Sequence, residues 1–386
     1  MNTHALQVES LYQSRPGSHV QTPKVSGVFL PNGCDVMPDL GMIADDSSFH
    51  LCSIGKHQCC REPERTQKTV AMFHKLLTSR APCSPLRSCP SVIRSMATVR
   101  SSLSHEERTA QEPREARLEP VTVSRIDAVN NTIRLIRLSA MKPGHALKFQ
   151  PGQWLDVFIP SLSKAGGFTI TSTPTDQGQP TPQRQAYFEL AIQKSTNPPA
   201  QWLWKPESEI INEQIIVRTG GSFVWPPPGI DVDGIEQVVL IAGGVGINPL
   251  ISIFAHLMSL PQRPKKIRFV YGSKVEKGPI EASRILFLTR IMDLIKKQAD
   301  TNIELDLFLT SASRSDIDHA KGLPEHVKLG RIEKNDLEAA IGEDRSVRQN
   351  TVAYICGPPA MTDQFVEYLS TREGMDKRKV LCEKWW

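Results

Sequence analysis

The chain has 386 residues, enough for two or three domains with a sizeable core, which excludes a peptide-scale or disulfide-only scaffold. Its 46 Lys and Arg stand against 41 Asp and Glu, and beyond residue 120 the basic residues are mixed with acids instead of gathered into a stripe, which disfavours a nucleic-acid binder. An apolar fraction of 39% with 24 glycines is ordinary for a soluble globular protein.

Residues 1–71 show neither a 3.6- nor a 2.0-residue periodicity and mix Pro, Gly, Ser and scattered charge, so they are expected to be a disordered extension. Six of the eight cysteines (Cys34, Cys52, Cys59, Cys60, Cys83 and Cys89) fall in the first quarter, and only Cys356 and Cys382 lie beyond it; a secreted disulfide framework would spread them through the folded part. Cys52, Cys59, Cys60 and His57 lack the CxxC pair of a zinc site, and the spacing for a two-iron cluster is missing, so no metal is expected. From Arg65 to His105 there is no acid, while Lys68, Lys75, Arg80, Arg87, Arg94 and Arg100 punctuate a Ser-rich run. That is the composition of a mitochondrial transit peptide, which Met72 would place at an N-terminus; the plainer alternative is a flexible basic linker in a cytoplasmic protein. Glu106–Glu119 is strongly charged, as a linker would be, and the extension with its targeting segment at 65–105 is expected to occupy 1–112.

Over 113–230, strand-like runs follow at close spacing: Val121–Arg125, Thr132–Leu138, Trp154–Ile159, Phe168–Ser172, Tyr187–Gln193 and Gln214–Arg218, with Pro, Gly and Asn turns between them. This pattern predicts a small antiparallel β-barrel. After Pro226, Pro227, Pro228 and Gly229, strands alternate with helices over 231–386, which implies a parallel α/β sheet. Its strands are expected at Val238–Ala242, Ile267–Tyr271, Leu305–Thr310, Val352–Ile355 and Val380–Cys382, with helices near 249–259, 282–298, 333–341 and 361–372. Gln237–Gln262 carries no formal charge and is long enough to span a bilayer. Its Gly243, Gly244, Gly246, Asn248, Pro249 and Ser252 fit a strand, a tight turn and a helix instead, so no transmembrane segment is expected.

Two motifs carry chemistry. In Val238–Leu250 an apolar strand runs into Gly243, Gly244, Val245 and Gly246, and a helix opens at Ile247, Asn248 and Pro249. Glycines let the backbone approach a pyrophosphate and the helix start offers it N–H groups, while Pro249 suits a first helical turn, so a dinucleotide site is expected, with a packed glycine turn as the plainer alternative. In Thr351–Phe365 a later strand ends in Cys356, Gly357 and Pro358, with Met361 on the following helix. The carboxyl ends of parallel strands line the ligand crevice, which puts Cys356 beside a nicotinamide. A buried cysteine is also a small apolar residue, and that plainer role stays open. Ser273 and Lys274, at the end of the second parallel strand, could grip a 2′-phosphate, and no ribose-binding acid is present there; NAD and NADP both remain open.

Taken together, and following a barrel of this size, AGGVGINP at 242–249, CGPPAM at 356–361 and the aromatic C-terminus resemble the ferredoxin:NADP reductase superfamily over about residues 120–386. The resemblance implies a flavin, FAD or alternatively FMN, held in the barrel by Gly167, Phe168, Thr169, Ile170 and Thr171, with Thr169 near the flavin N5. It also implies that Glu383 stands near the reacting centre and that Trp386 covers the flavin ring. Two features depart from the superfamily. Its Arg-x-Tyr-Ser/Thr strand is here Gly166, Gly167, Phe168 and Thr169, without the phosphate-neutralising arginine, and its Gly-x-x-Ser-x-x-Leu pattern is Asn197, Pro198, Pro199, Ala200, Gln201, Trp202 and Leu203, without the serine. Losing such a charge-assisted contact costs about 1.5–3 kcal/mol unless another cation replaces it, and Lys164, Lys194 and Arg218 are the candidates. The expected function is an NAD(P)H-dependent flavoprotein reductase with an unidentified electron acceptor; the rival is a non-enzymatic nucleotide-binding module that has lost the flavin.

Overall fold

The computed structural model describes residues 103–177, 185–298 and 302–384. The expected extension up to residue 102, with Met72, Cys52, Cys59 and Cys60, lies outside these residues, as does Trp386.

Strands β1 (Glu119–Ala128), β2 (Ile133–Ala140), β3 (Trp154–Phe158), β4 (Gly166–Thr169), β5 (Tyr187–Gln193) and β6 (Gln214–Gly220) form an antiparallel sheet in the order β4-β3-β6-β1-β2-β5. A bridge between Ile170 and Leu190 joins the end of β4 to β5 and closes the sheet into a barrel. The period-2 pattern turns Val121, Val123, Ile136, Leu138, Leu155, Val157, Ile215 and Val217 inward to a single apolar core. The fourth strand runs two residues earlier than its sequence suggests. Leu155 pairs with Phe168 and Asp156 with Gly167, whereas Thr171 leaves that ladder and donates its amide to the Glu189 carbonyl at 2.8 Å. Short helices α1 (His105–Arg108), α2 (Pro198–Leu203) and α3 (Glu207–Ile210) accompany the barrel.

The second sheet contains β7 (Gln237–Gly243), β8 (Lys266–Lys274), β9 (Ile303–Thr310), β10 (Val327–Leu329), β11 (Thr351–Cys356) and β12 (Val380–Cys382), all parallel, in the order β10-β9-β8-β7-β11-β12. Helices α4 (Ile247–Ser259), α5 (Leu288–Lys296), α6 (Arg314–Asp318), α7 (Lys334–Ile341), α8 (Arg345–Gln349) and α9 (Pro359–Ser370) follow in chain order. Central β7 is buried along its whole length, as a strand covered on both faces must be. Val238, Leu240 and Ala242 pack on one side with Leu250, Phe254 and Leu257 of α4, and Val239 and Ile241 on the other with Phe365 and Leu369 of α9. Helix α5 starts later than the run 282–298 suggests, because buried Ile285 and Leu286 lead into Phe287, whose positive φ of 59° turns the chain before the helix begins. The apolar run 237–262 is thus a strand, a turn and a helix; no helix among the described residues is long and apolar enough to cross a membrane.

Polar bonds join the barrel to the second sheet. Asn248 Nδ2 donates to the Ala191 carbonyl at 3.1 Å, Ser252 Oγ to the Ser172 carbonyl at 2.7 Å and the Tyr354 hydroxyl to the Val224 carbonyl at 2.8 Å. Arg290 grips Glu189 through two bonds of 2.7 and 3.1 Å.

Candidate functional site

Between the barrel and the carboxyl ends of β7 and β11 lies a crevice of about 630 Å³, within the usual size of small-molecule sites. Gly167, Phe168 and Thr169 form part of one wall, and Gly243–Gly246, Asn248 and Cys356–Pro358 the other.

On the second wall the turn is shaped by close approach. A Cβ on Gly246 would overlap the Cys356 carbonyl and the Gly357 Cα, so the turn after β7 can lie against the end of β11 only because residue 246 has no side chain. Helix α4 opens directly behind this turn, and Pro249 in its first turn costs no helical hydrogen bond. Met361 lies just behind, its sulfur and terminal methyl in the space that a side chain on Gly243 would fill and its methyl in that of one on Gly357. Asn248 is 8% exposed; its Nδ2 is spent on Ala191, leaving Oδ1 as a buried acceptor with no partner among the described residues, on the crevice wall. Cys356 is 1% exposed, and burial, reinforced by the nearby Glu383 carboxylate, pushes its thiol well above the usual range.

The barrel wall is built differently. Gly167 is covered by His105 from α1: a Cβ at 167 would overlap its imidazole ring. His105 Nε2 lies 3.1 Å from Oδ1 of Asp156, the residue opposite Gly167 in the ladder, and the ring stands edge-on to Trp154 at 4.7 Å. Arg114 Nε at 3.0 Å and Arg218 Nη2 at 2.7 Å meet the other Asp156 oxygen. Burial alone would raise the Asp156 pKa, but the bonds from His105, Arg114 and Arg218 outweigh it and hold the carboxyl at about 2. A capping box of Ser104 and Glu107 starts α1. The stretch after Ser104, expected as a charged linker, is therefore packed on the barrel, and Arg108 borders the crevice.

Of the sequence-derived site residues, the crevice brings together Gly167, Phe168, Thr169, Gly243, Gly244, Val245, Gly246, Asn248, Cys356, Gly357 and Pro358. The rest lie elsewhere. Ile170 is in the barrel core, and the Thr171 hydroxyl donates to Glu189 Oε1 at 2.9 Å. Ile247 and Pro249 are buried at the base of α4. Ser273 is bonded to Tyr271, and Lys274 borders a separate cavity of about 100 Å³. Glu383 extends the β11–β12 ladder through its amide, 3.3 Å from the Ile355 carbonyl, and lines a neighbouring cavity of about 570 Å³ that Arg108 also borders. Neither Lys164, Lys194 nor Arg218 reaches the crevice wall: Lys164 is exposed, Lys194 lies over the Trp204 ring at 5.6 Å, and Arg218 is held by Asp156. The residues that sequence reasoning passed over are His105, Arg108 and Asp156. Ser104-x-x-Glu107 was a readable helix-start signal.

The crevice fits a flavin in part. Its size, the aromatic ring and hydroxyl of Phe168 and Thr169 and the orphaned Asn248 acceptor suit a heterocycle with N–H groups. A phosphate would find no cation on β4, and α2 opens with Pro198 and Pro199, which have no N–H to give.

Comparison with known proteins agrees with this geometry. The Oxidoreductase NAD-binding domain family model matches residues 240–367. Oxidoreductase NAD-binding domain-containing protein 1 of Danio rerio is 31% identical over 290 residues, covering 75% of this chain and all of that protein. The Homo sapiens protein of the same name is 32% identical over 285 residues, covering 73% of this chain and 84% of that one. Among solved structures, a ferredoxin NADP+ reductase from Neisseria gonorrhoeae with bound FAD and NADP superposes with a TM-score of 0.51 at 15% identity, over 70% of this chain and all of that one; this is a likeness of fold.

Proposed function

Since the chain belongs to the family of oxidoreductase NAD-binding domain-containing protein 1, we propose that it is an NAD(P)H-dependent flavoprotein reductase. A flavin bound between the two walls would take a hydride from the nicotinamide and release the electrons to an acceptor of another kind. One observation carries the reading: Phe168 and Thr169 of the barrel face the Gly243–Gly246 turn and Cys356 across a single crevice.

Each wall has its own task. The turn Gly243–Gly246, with the start of α4 at Ile247, Asn248 and Pro249 behind it, takes the nucleotide phosphates on backbone N–H groups, in the manner of helix-opening glycine turns. Asn248 Oδ1 accepts from a ligand N–H, which removes the cost of leaving it unpaired. Thr169 offers a hydroxyl, and Cys356 a thiol kept protonated, beside the reacting atoms. The similarity of the fold to that of the gonococcal reductase supports FAD as the flavin. The acid-free, Arg- and Ser-containing run 65–105 supports a mitochondrial address read from Met72.

The test is an absorption spectrum of the purified full chain, followed by anaerobic addition of NADH or NADPH. The reading expects a flavin spectrum that bleaches with one or both nucleotides. A colourless protein that neither takes up FAD or FMN nor oxidises either nucleotide refutes it. Diffuse cytosolic signal from a fluorescent fusion starting at Met72 refutes the address.

A further inference from the structure

We propose that Arg108, from the turn preceding the barrel, is the phosphate-binding cation of the crevice, standing in for the arginine that β4 lacks. This rests on the flavin reading above and adds to it a residue from outside the barrel strands. Among the described residues, Arg108 is the one Lys or Arg on the crevice wall, which it shares with Gly167, Phe168, Thr169, Asn197 and Ala200.

The short helix that carries it is anchored on the barrel through His105. His105 sits three residues earlier on the same short helix, so the two side chains are neighbours on one side of the turn. His105 is 5% exposed and wedged over Gly167, against Trp154 and onto Asp156. The missing side chain at Gly167 and the presence of α1 are thus two sides of one arrangement: a larger residue at 167 would expel His105, and with it Arg108. The other donors a phosphate could use here are weak. Pro198 and Pro199 lack N–H groups and Ala200 lacks a hydroxyl. An arginine, with paired N–H groups matched to two phosphate oxygens, is suited to act where the backbone supplies so little.

A phosphate in the crevice could belong to a flavin or to the nicotinamide nucleotide, and the inference commits to the flavin. The experiment uses the full chain and its Arg108→Gln and Arg108→Lys variants. Riboflavin, FMN and FAD are titrated by flavin fluorescence, and ADP-ribose by calorimetry. Arg108→Gln should weaken FMN or FAD binding about 10- to 100-fold while leaving riboflavin, ADP-ribose and the melting temperature unchanged, with Arg108→Lys recovering part of the loss. Added salt should weaken FAD binding by the wild type more than by Arg108→Gln. Equal FAD affinity for the wild type and Arg108→Gln overturns the inference and leaves the flavin reading standing, as does a loss confined to ADP-ribose. A wild type that binds none of the three flavins overturns both.

Discussion

The two walls of the crevice are made in opposite ways. The wall on the parallel-sheet side comes from two stretches of chain, Gly243–Asn248 and Cys356–Pro358, each following a buried parallel strand. The barrel wall is assembled from Gly167 on β4, His105 and Arg108 on α1, and Asp156 beneath them, brought together from far along the chain. A wall built from one motif tolerates change elsewhere but not within itself. A wall built from scattered pieces depends on whatever pins them, here one buried carboxylate.

That contrast can be tested in order of expected effect. Asp156→Ala strands His105, Arg114 and Arg218 around a lost partner, and removing one member of a buried ion cluster costs about 3–5 kcal/mol, read from the urea midpoint. If ADP-ribose affinity falls as far as stability does, the walls are not independent. Because the Asp156 pKa is held at about 2, below its unfolded value, its stabilisation is complete above about pH 4 and is lost as pH falls through about 2. Asp156→Asn and the wild type should therefore differ by about 2 kcal/mol at neutral pH and converge in acid denaturation series.

Next come the two glycines, one in each wall. Gly246→Ala forces a methyl into the Cys356 carbonyl and should cost about 1–3 kcal/mol together with nucleotide binding. Gly167→Ala pushes on the His105 ring and should cost a similar amount, with ADP-ribose affinity intact. Calorimetry on both variants gives the answer, and the comparison fails if both lose the nucleotide equally. Smallest in stability is Cys356→Ala, a buried small-for-small change expected to cost about 1 kcal/mol while slowing reduction by NADH in stopped flow. Equal rates would return Cys356 to a packing role.

The same contrast explains what the sequence disclosed. The strand, glycine turn and helix of 237–259 follow from local grammar, since a charge-free run broken by Gly243, Gly244 and Gly246 has few other solutions. The alternating apolar residues of β1, β2 and β6 likewise announce a barrel. Gly166 and Gly167 looked like a deficit, because a missing side chain is visible in a sequence and its replacement from about 60 residues away is not. Thr171 and Ser273 looked available because hydroxyls do not advertise their partners; in the fold they are taken by Glu189 and Tyr271. The start of β4 at Gly166 is set by its pairing with β3, a long-range register that the local sequence does not carry.

The bonds from Asn248 to Ala191 and from Ser252 to Ser172 have a mechanical consequence. Both donors stand on α4, one turn apart, and both acceptors are barrel carbonyls; Tyr354 with Val224 and Arg290 with Glu189 add two more ties along the same seam. Swinging the barrel away from the parallel sheet would strand several buried polar groups, at about 1–3 kcal/mol each. A separated form at that cost is rare at equilibrium, so the crevice keeps one width almost all of the time, and the spacing of its two walls is set when the chain folds.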